Sequence, residues 1–160
     1  MTSWSVRRRR GDAGDDDGTT SFVLEESLGY LVNRVARDMA QLLAEELRPS
    51  AVGVGQWAVL LVLWSDDGLS QAALSRVVAI EPPTMVRTID RMVRDGLVER
   101  RPDPRDARIS RIHLTEHGRD LKDELIPKAV AVNERVRARL GSKDARRLVR
   151  LLSKVLATPS

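Results

Sequence analysis

The sequence predicts a mainly α-helical chain carrying one small β-ribbon. Three observations support that class. Apolar residues recur at three- and four-residue steps over most of the chain, the period of amphipathic helices. Aromatic residues make up only 3% of the 160 positions, so the 42% hydrophobic fraction is dominated by aliphatic side chains, many of them good helix formers. One stretch, residues 97–114, departs from the helical period and places two short strand-like runs around a turn rich in Pro and Asp.

The elements follow in order. Residues 1–20 read as a disordered charged tail, with opposite charge blocks at Arg7–Arg10 and Asp15–Asp17 and almost nothing to bury. The Arg run is a candidate for phosphate contact, against the alternative of a solvated tail. Residues 21–47 carry Leu24, Leu28, Leu31, Val35, Met39, Leu42 and Leu43 at helical spacing, with Glu25 and Glu26 in the expected first turn and Pro49 as the stop. Residues 56–64 form a nearly all-apolar second helix that ends at Ser65-Asp66-Asp67-Gly68. Ser70 is the N-cap of a short third helix bearing Ala73, Leu74 and Val77, followed by a turn at Ala79-Ile80.

Pro82 and Pro83 suit the first turn of a fourth helix, whose leading N–H groups lack intrahelical acceptors anyway; Gly96 is its left-handed stop. Residues 97–101 and 108–114 are the two strands, with Ile112 and Leu114 on one face and Ile109 out of phase. Thr115 caps a fifth helix running towards Leu140, with a kink expected at Pro127 and a break at Gly141-Ser142 before a sixth. No internal repeat is present.

Net charge is +4, which permits an anionic partner without requiring one. The absence of cysteine excludes disulfides, thiolate catalysis and zinc ribbons. No run of 18 apolar residues exists, and no apolar segment follows Arg7–Arg10, so neither a membrane helix nor a secretory signal is expected and the expected location is cytoplasmic.

The chemistry concentrates in residues 81–115. On the fourth helix Met85, Ile89, Met92 and Val93 form an apolar stripe, while Thr84, Arg87, Thr88 and Arg91 form another at i, i+3, i+4 and i+7. The second stripe offers guanidinium and hydroxyl groups from the helix half that helix-turn-helix proteins insert into the major groove, where Arg pairs with guanine O6 and N7 and Thr meets a phosphate or a thymine methyl. The alternative is an ordinary solvated face, with Asp90 and Asp95 near in sequence as ion-pair partners. From Arg100 to Arg111 there are five arginines against two aspartates, a net of +3. Arg105, Arg108 and Arg111 are the candidate wing contacts, since narrow minor grooves attract arginine. A helix, a turn, a helix and a basic ribbon in that order outline a winged helix-turn-helix that binds double-stranded DNA.

On these residues the chain resembles the MarR family of winged-helix regulators, and its SlyA-like branch in particular. Residues 80–87 (IEPPTMVR) are similar to that branch's recognition-helix entry, Gly96-Leu97-Val98-Glu99-Arg100 to the family's helix-to-wing junction, and Asp106-x-Arg108-x-x-x-Ile112-x-Leu114-Thr115 to its wing motif. The weaker similarity spans about residues 24–156. Where many relatives carry a second arginine after the motif aspartate, this chain has Ala107.

The resemblance implies a homodimer in which the first, fifth and sixth helices interlock. The chain then divides into a tail (1–20), an N-terminal dimerisation helix (21–50), the winged helix-turn-helix (51–115) and C-terminal dimerisation helices (116–158). It implies that Thr84 and Arg87 approach major-groove bases, that Arg108 enters the minor groove, that Asp106 helps fix the wing, and that Ser70 and Gln71 meet phosphate. It also implies a transcriptional regulator, repression being the expected sense, acting on a pseudo-palindromic operator.

Family members bind small aromatic effectors in a crevice between the lobes, and Trp57 falls in the corresponding region; plain core packing with Trp64, seven residues on, is the alternative. His113 and His117 straddle a strand-to-helix junction with no third ligand, so no metal site and no cofactor are expected. No Ser-His-Asp set, phosphate loop or paired-carboxylate signature points to an enzyme. The rival reading is a helical dimer that serves as a protein-interaction module and has lost DNA affinity, a reading that Ala107 and the moderate net charge keep open.

Overall fold

The computed structural model describes residues 23–106 and 108–157; the charged tail and Ala107 lie outside them. Helix α1 spans Leu28–Leu47 and begins later than its apolar period suggests. Ser27 is extended (φ −70°, ψ 116°) and its Oγ accepts the Tyr30 N–H at 3.4 Å, which caps the helix there. Leu24–Glu26 form a separate 3₁₀ turn, so Glu25 and Glu26 sit outside the helix rather than in its first turn. A second 3₁₀ turn, Arg48–Ser50, holds Pro49 and ends with Ala51 in the left-handed region.

Helix α2 (Val54–Leu63) is followed by strand β1 (Leu69–Ser70) and helix α3 (Gln71–Val78). Ser70 Oγ accepts the Ala73 N–H at 3.2 Å, the cap its position predicts. Ala79 makes the turn at φ 55°, and helix α4 (Pro82–Arg94) opens on its two prolines. It closes with Leu97 N–H donating to Met92 C=O at 2.9 Å and Gly96 N–H to Val93 C=O at 3.1 Å, the Schellman pairing that places Gly96 at φ 68°.

Strands β2 (Val98–Pro102) and β3 (Ser110–Leu114) form the ribbon, with Val98 opposite Leu114 and Arg100 opposite Ile112. The sheet has three strands rather than two, in the order β1-β3-β2, because Leu69 and Ser70 pair with Ile112 and Arg111. Helix α5 (Glu116–Ala157) starts on Thr115, whose Oγ1 accepts the Gly118 N–H at 3.0 Å; it continues through Pro127 and breaks at Gly141 (φ 73°, ψ 157°) into two helical parts.

One core joins these elements. Leu47 from α1, Leu60 and Leu63 from α2, Leu74 from α3, Ile112 from β3 and Leu125 from α5 are all fully buried. Met85, Ile89 and Met92 close it from α4, whereas Val93, expected on the same stripe, lies at its margin with 37% exposure. Gly118 lets α5 approach the turn that leads into β2: a Cβ there would stand 2.1 Å from the Leu97 carbonyl oxygen. The Trp64 indole donates to the Gly118 carbonyl at 2.9 Å beside it.

Beyond this lobe, α1 and α5 are tied by Arg135–Glu46 at 2.8 Å. Ser50 and Lys128 both donate to Glu124, whose carboxyl is held below the usual carboxylate range, chiefly by the Lys128 bond. The apolar stripes of the two ends remain open, with Leu28 79%, Val155 71% and Leu156 86% exposed. Among the described residues no helix is long and apolar enough to cross a membrane.

Candidate nucleic-acid interface

The burial of Met85, Ile89 and Met92 fixes which face of α4 is free. Thr84, Arg87 and Arg91 are exposed and Thr88 is half-exposed. The aspartates nearest those arginines in sequence are engaged elsewhere. Asp90 pairs with Arg100 of β2 at 2.7 Å, which ties the ribbon to α4. Asp95 accepts from Gln56 Nε2 at 2.7 Å. Arg87 and Arg91 therefore have no carboxylate partner among the described residues, and the solvated-face alternative loses its ion pairs. Thr88 donates its hydroxyl to the Thr84 carbonyl at 3.0 Å, so it offers a methyl group and acceptor lone pairs rather than a free proton.

The ribbon divides its arginines. Arg105 and Arg108 are exposed and their guanidinium groups are unpaired among the described residues. Arg100 is held by Asp90 and Arg101 by Glu99. Arg111 is used inside the ribbon: Nε donates to Asp103 Oδ2, and Nη1 donates to the Gly68 carbonyl at 2.8 Å. Asp106 accepts the Arg108 N–H at 3.0 Å, a turn contact of the kind expected of it. Ser70 lies at the N-terminus of α3 with its Oγ accepting the Ala73 N–H, and Gln71 beside it is half-exposed.

Sequence reasoning missed two residues. Asp103 is the buried centre of the wing turn, accepting the Arg105 N–H at 2.7 Å, the Asp106 N–H at 3.3 Å and the Arg111 guanidinium. These bonds, the Arg105 amide foremost, hold its carboxyl below the usual range. Gln56 is buried at the start of α2, where Oε1 accepts the Gly53 N–H at 2.8 Å while Nε2 reaches Asp95. Its signal was a polar residue heading an apolar run, which read only as the start of a helix.

Trp57 is 8% exposed and belongs to the core, its ring packed edge-to-face on Trp64 with centroids 5.6 Å apart. His113 Nδ1 lies 3.6 Å from Asp67 Oδ2. No group of three His, Asp or Glu residues is placed to hold a metal among the described residues.

The MarR family model matches residues 54–110, which run from α2 through the wing turn to the start of β3. The fold as a whole agrees with solved members. Wild-type MarR from E. coli in its apo form is 27% identical with a TM-score of 0.72, over 81% of this chain and 97% of that one. Residues 54–110 thus match the MarR family, and the fold is similar to that of solved MarR. Two further solved structures extend the comparison. A probable transcriptional regulator from Pseudomonas aeruginosa has a TM-score of 0.77 at 26% identity, over 83% of this chain and 99% of its own. The transcriptional repressor CouR, bound to a 23-mer DNA duplex, has a TM-score of 0.76 at 27% identity, over 83% and 94%.

Proposed function

We propose that this chain is a homodimeric, sequence-specific regulator of transcription of the MarR family that binds double-stranded DNA. The observation that carries the reading is the pairing pattern around α4 and the ribbon. Every nearby aspartate is committed to a structural bond, while Arg87, Arg91, Arg105 and Arg108 keep guanidinium groups unpaired among the described residues, on exposed positions. A cationic helix tied to a cationic ribbon through Arg100–Asp90 suits a duplex, whose adjoining grooves take the helix and the wing. That the related CouR is a repressor seen on a DNA duplex supports the same partner here.

In this reading Arg87 and Arg91 serve base edges or phosphates, with Thr84 and Thr88 beside them. Arg105 and Arg108 serve the wing, Arg108 in the minor groove, and Ser70 and Gln71 meet phosphate. The open stripes of residues 21–50 and 116–158 close against a second copy. Repression, a cytoplasmic location, membership of the SlyA-like branch and a small aromatic effector near Trp57 complete the proposal. An effector acts only if its affinity differs between dimer shapes with matched and mismatched recognition helices.

The test is selection of DNA from a random pool by the full chain. The expected result is a pseudo-palindrome whose half-sites lie about one helical turn, ~10 bp, apart. A pool that shows no enrichment overturns the reading and favours the protein-interaction rival.

A further inference from the structure

The wing turn is organised around one carboxylate. Asp103 is 6% exposed in a turn whose neighbours Pro104, Arg105 and Asp106 are exposed. Its Oδ1 takes the Arg105 and Asp106 amides, its Oδ2 takes Arg111 Nε, and its own N–H donates to the Ile109 carbonyl at 2.9 Å. Arg111 carries the connection onward to the Gly68 carbonyl. Gly68 is a fixed point. Its N–H donates to the Ile112 carbonyl at 3.1 Å, its φ is 77°, and the His113 ring occupies the space of a Cβ, 2.6 Å from where that atom would stand.

We propose that Asp103, Arg111 and the Gly68 carbonyl form a latch that sets the wing turn against the loop between α2 and α3, and that Arg111 is a positioning residue rather than a DNA contact. Its consequence for DNA rests on the reading above; its geometry does not. The latch orders both candidate wing contacts. Asp103 holds the Arg105 amide, and Asp106, itself held by Asp103, holds the Arg108 amide. A turn ordered before docking loses less conformational entropy on binding. A guanidinium suits the role because it donates from Nε and Nη1 at once to a carboxylate and a carbonyl; an ammonium is a point charge without that fork.

The latch makes a prediction opposite in sign to simple electrostatics. Asp103→Asn removes a negative charge from a surface that meets a polyanion, so charge alone predicts tighter DNA binding. Loss of the latch predicts binding weaker by about tenfold, the scale of re-ordering one or two side chains. Arg111→Lys keeps the charge and Arg111→Ala removes it. As a latch member, Arg111 makes the two variants equally weak and leaves the salt slope at its wild-type value; as a phosphate contact, it leaves the Lys variant near wild type and costs the Ala variant about one unit of slope. The double variant D103N/R111A is expected to be no weaker than the worse single variant, as for residues acting as one unit.

Amide hydrogen exchange on the free full-length chain tests the geometry without DNA. D103A, which removes the acceptor of the Arg105 amide, and R111A are expected to lose protection at that amide while α4 amides stay protected, which also shows that the variants are folded. Tighter binding by D103N, a wild-type-like R111K, or unchanged Arg105 protection overturns the latch. If the wild-type chain shows no DNA affinity, the functional reading fails, and the Arg105 amide alone then decides the latch.

Discussion

The winged lobe and the two helical ends treat their apolar residues in opposite ways. In the lobe Leu60, Leu74, Met85, Ile89 and Ile112 are fully covered by elements of the same chain, and the stripe of α4 finds its partners. At the ends, Leu28 and Leu31 of α1 and Leu148, Leu151, Leu152 and Val155 of α5 keep regular helical spacing yet stay exposed. Equal patterning with unequal burial means that the lobe's information is complete within one chain and that of the ends is not. A second copy supplies the missing surface in the dimeric reading, and the lobe is then the part that the dimer aims.

The largest expected effects break the lobe. Leu60→Ala empties a fully covered site and is expected to cost about 2–5 kcal/mol, read as a urea midpoint lowered from the wild type's at the same protein concentration. Substituting the ends sharpens the contrast. L148E/L152E is expected to raise the dimer dissociation constant by about 100-fold, the scale of exposing one or two leucines, with sedimentation shifting to monomer. The melting temperature of the wild type should rise with concentration and that of this variant should not. A variant that remains dimeric removes the stripes from the interface.

Within the lobe the effects become smaller and more specific. Arg87→Ala is expected to cost about 1–3 kcal/mol of DNA affinity and to relax choice at one base position in each half-site, measured by repeating the selection with the variant. Asp103 supplies a pH signature. Its folded carboxyl is depressed by the Arg105 amide and then by Arg111, so its stabilisation is complete above the ordinary carboxylate range, ~3.9, and disappears as pH falls through the lower folded value. Carbon NMR of the Asp103 carboxyl should therefore show a midpoint below that of a free aspartate, with no titration between about pH 5 and 8; an ordinary midpoint contradicts the buried turn. The smallest effect belongs to Asp90→Asn, which breaks an exposed pair worth roughly 0–1 kcal/mol of stability.

What the sequence disclosed followed the range of the interactions. Ser70, Gly96 and Thr115 were legible because a cap or stop is decided within a few residues. The start of α1 was not, because an apolar period running smoothly from Leu24 to Leu43 hid the extended Ser27 within it. Strand β1 has two residues and exists only through its pairing with β3, some forty positions away, which no local pattern announces. The candidate interface was readable as a cationic stripe beside a cationic ribbon. Its internal division was not: Arg105, Arg108 and Arg111 look alike in the sequence, and only the fold brings Arg111 to Gly68 and Asp103 to the centre of the turn. Gly118 likewise reads as a weak helix residue until α5 is set against Leu97.

In the proposed reading the arginines of α4 and the wing that are unpaired among the described residues meet phosphate and base edges together. Affinity for the selected DNA, titrated against salt for the wild type and for Arg108→Ala, tests it most directly. Log affinity of the wild type is expected to fall steeply and linearly with log salt, with a slope of about −0.9 per phosphate contact, and the variant to bind more weakly with a slope shallower by about one unit. A flat wild-type line, or a variant that superposes on the wild type at every salt concentration, would contradict it.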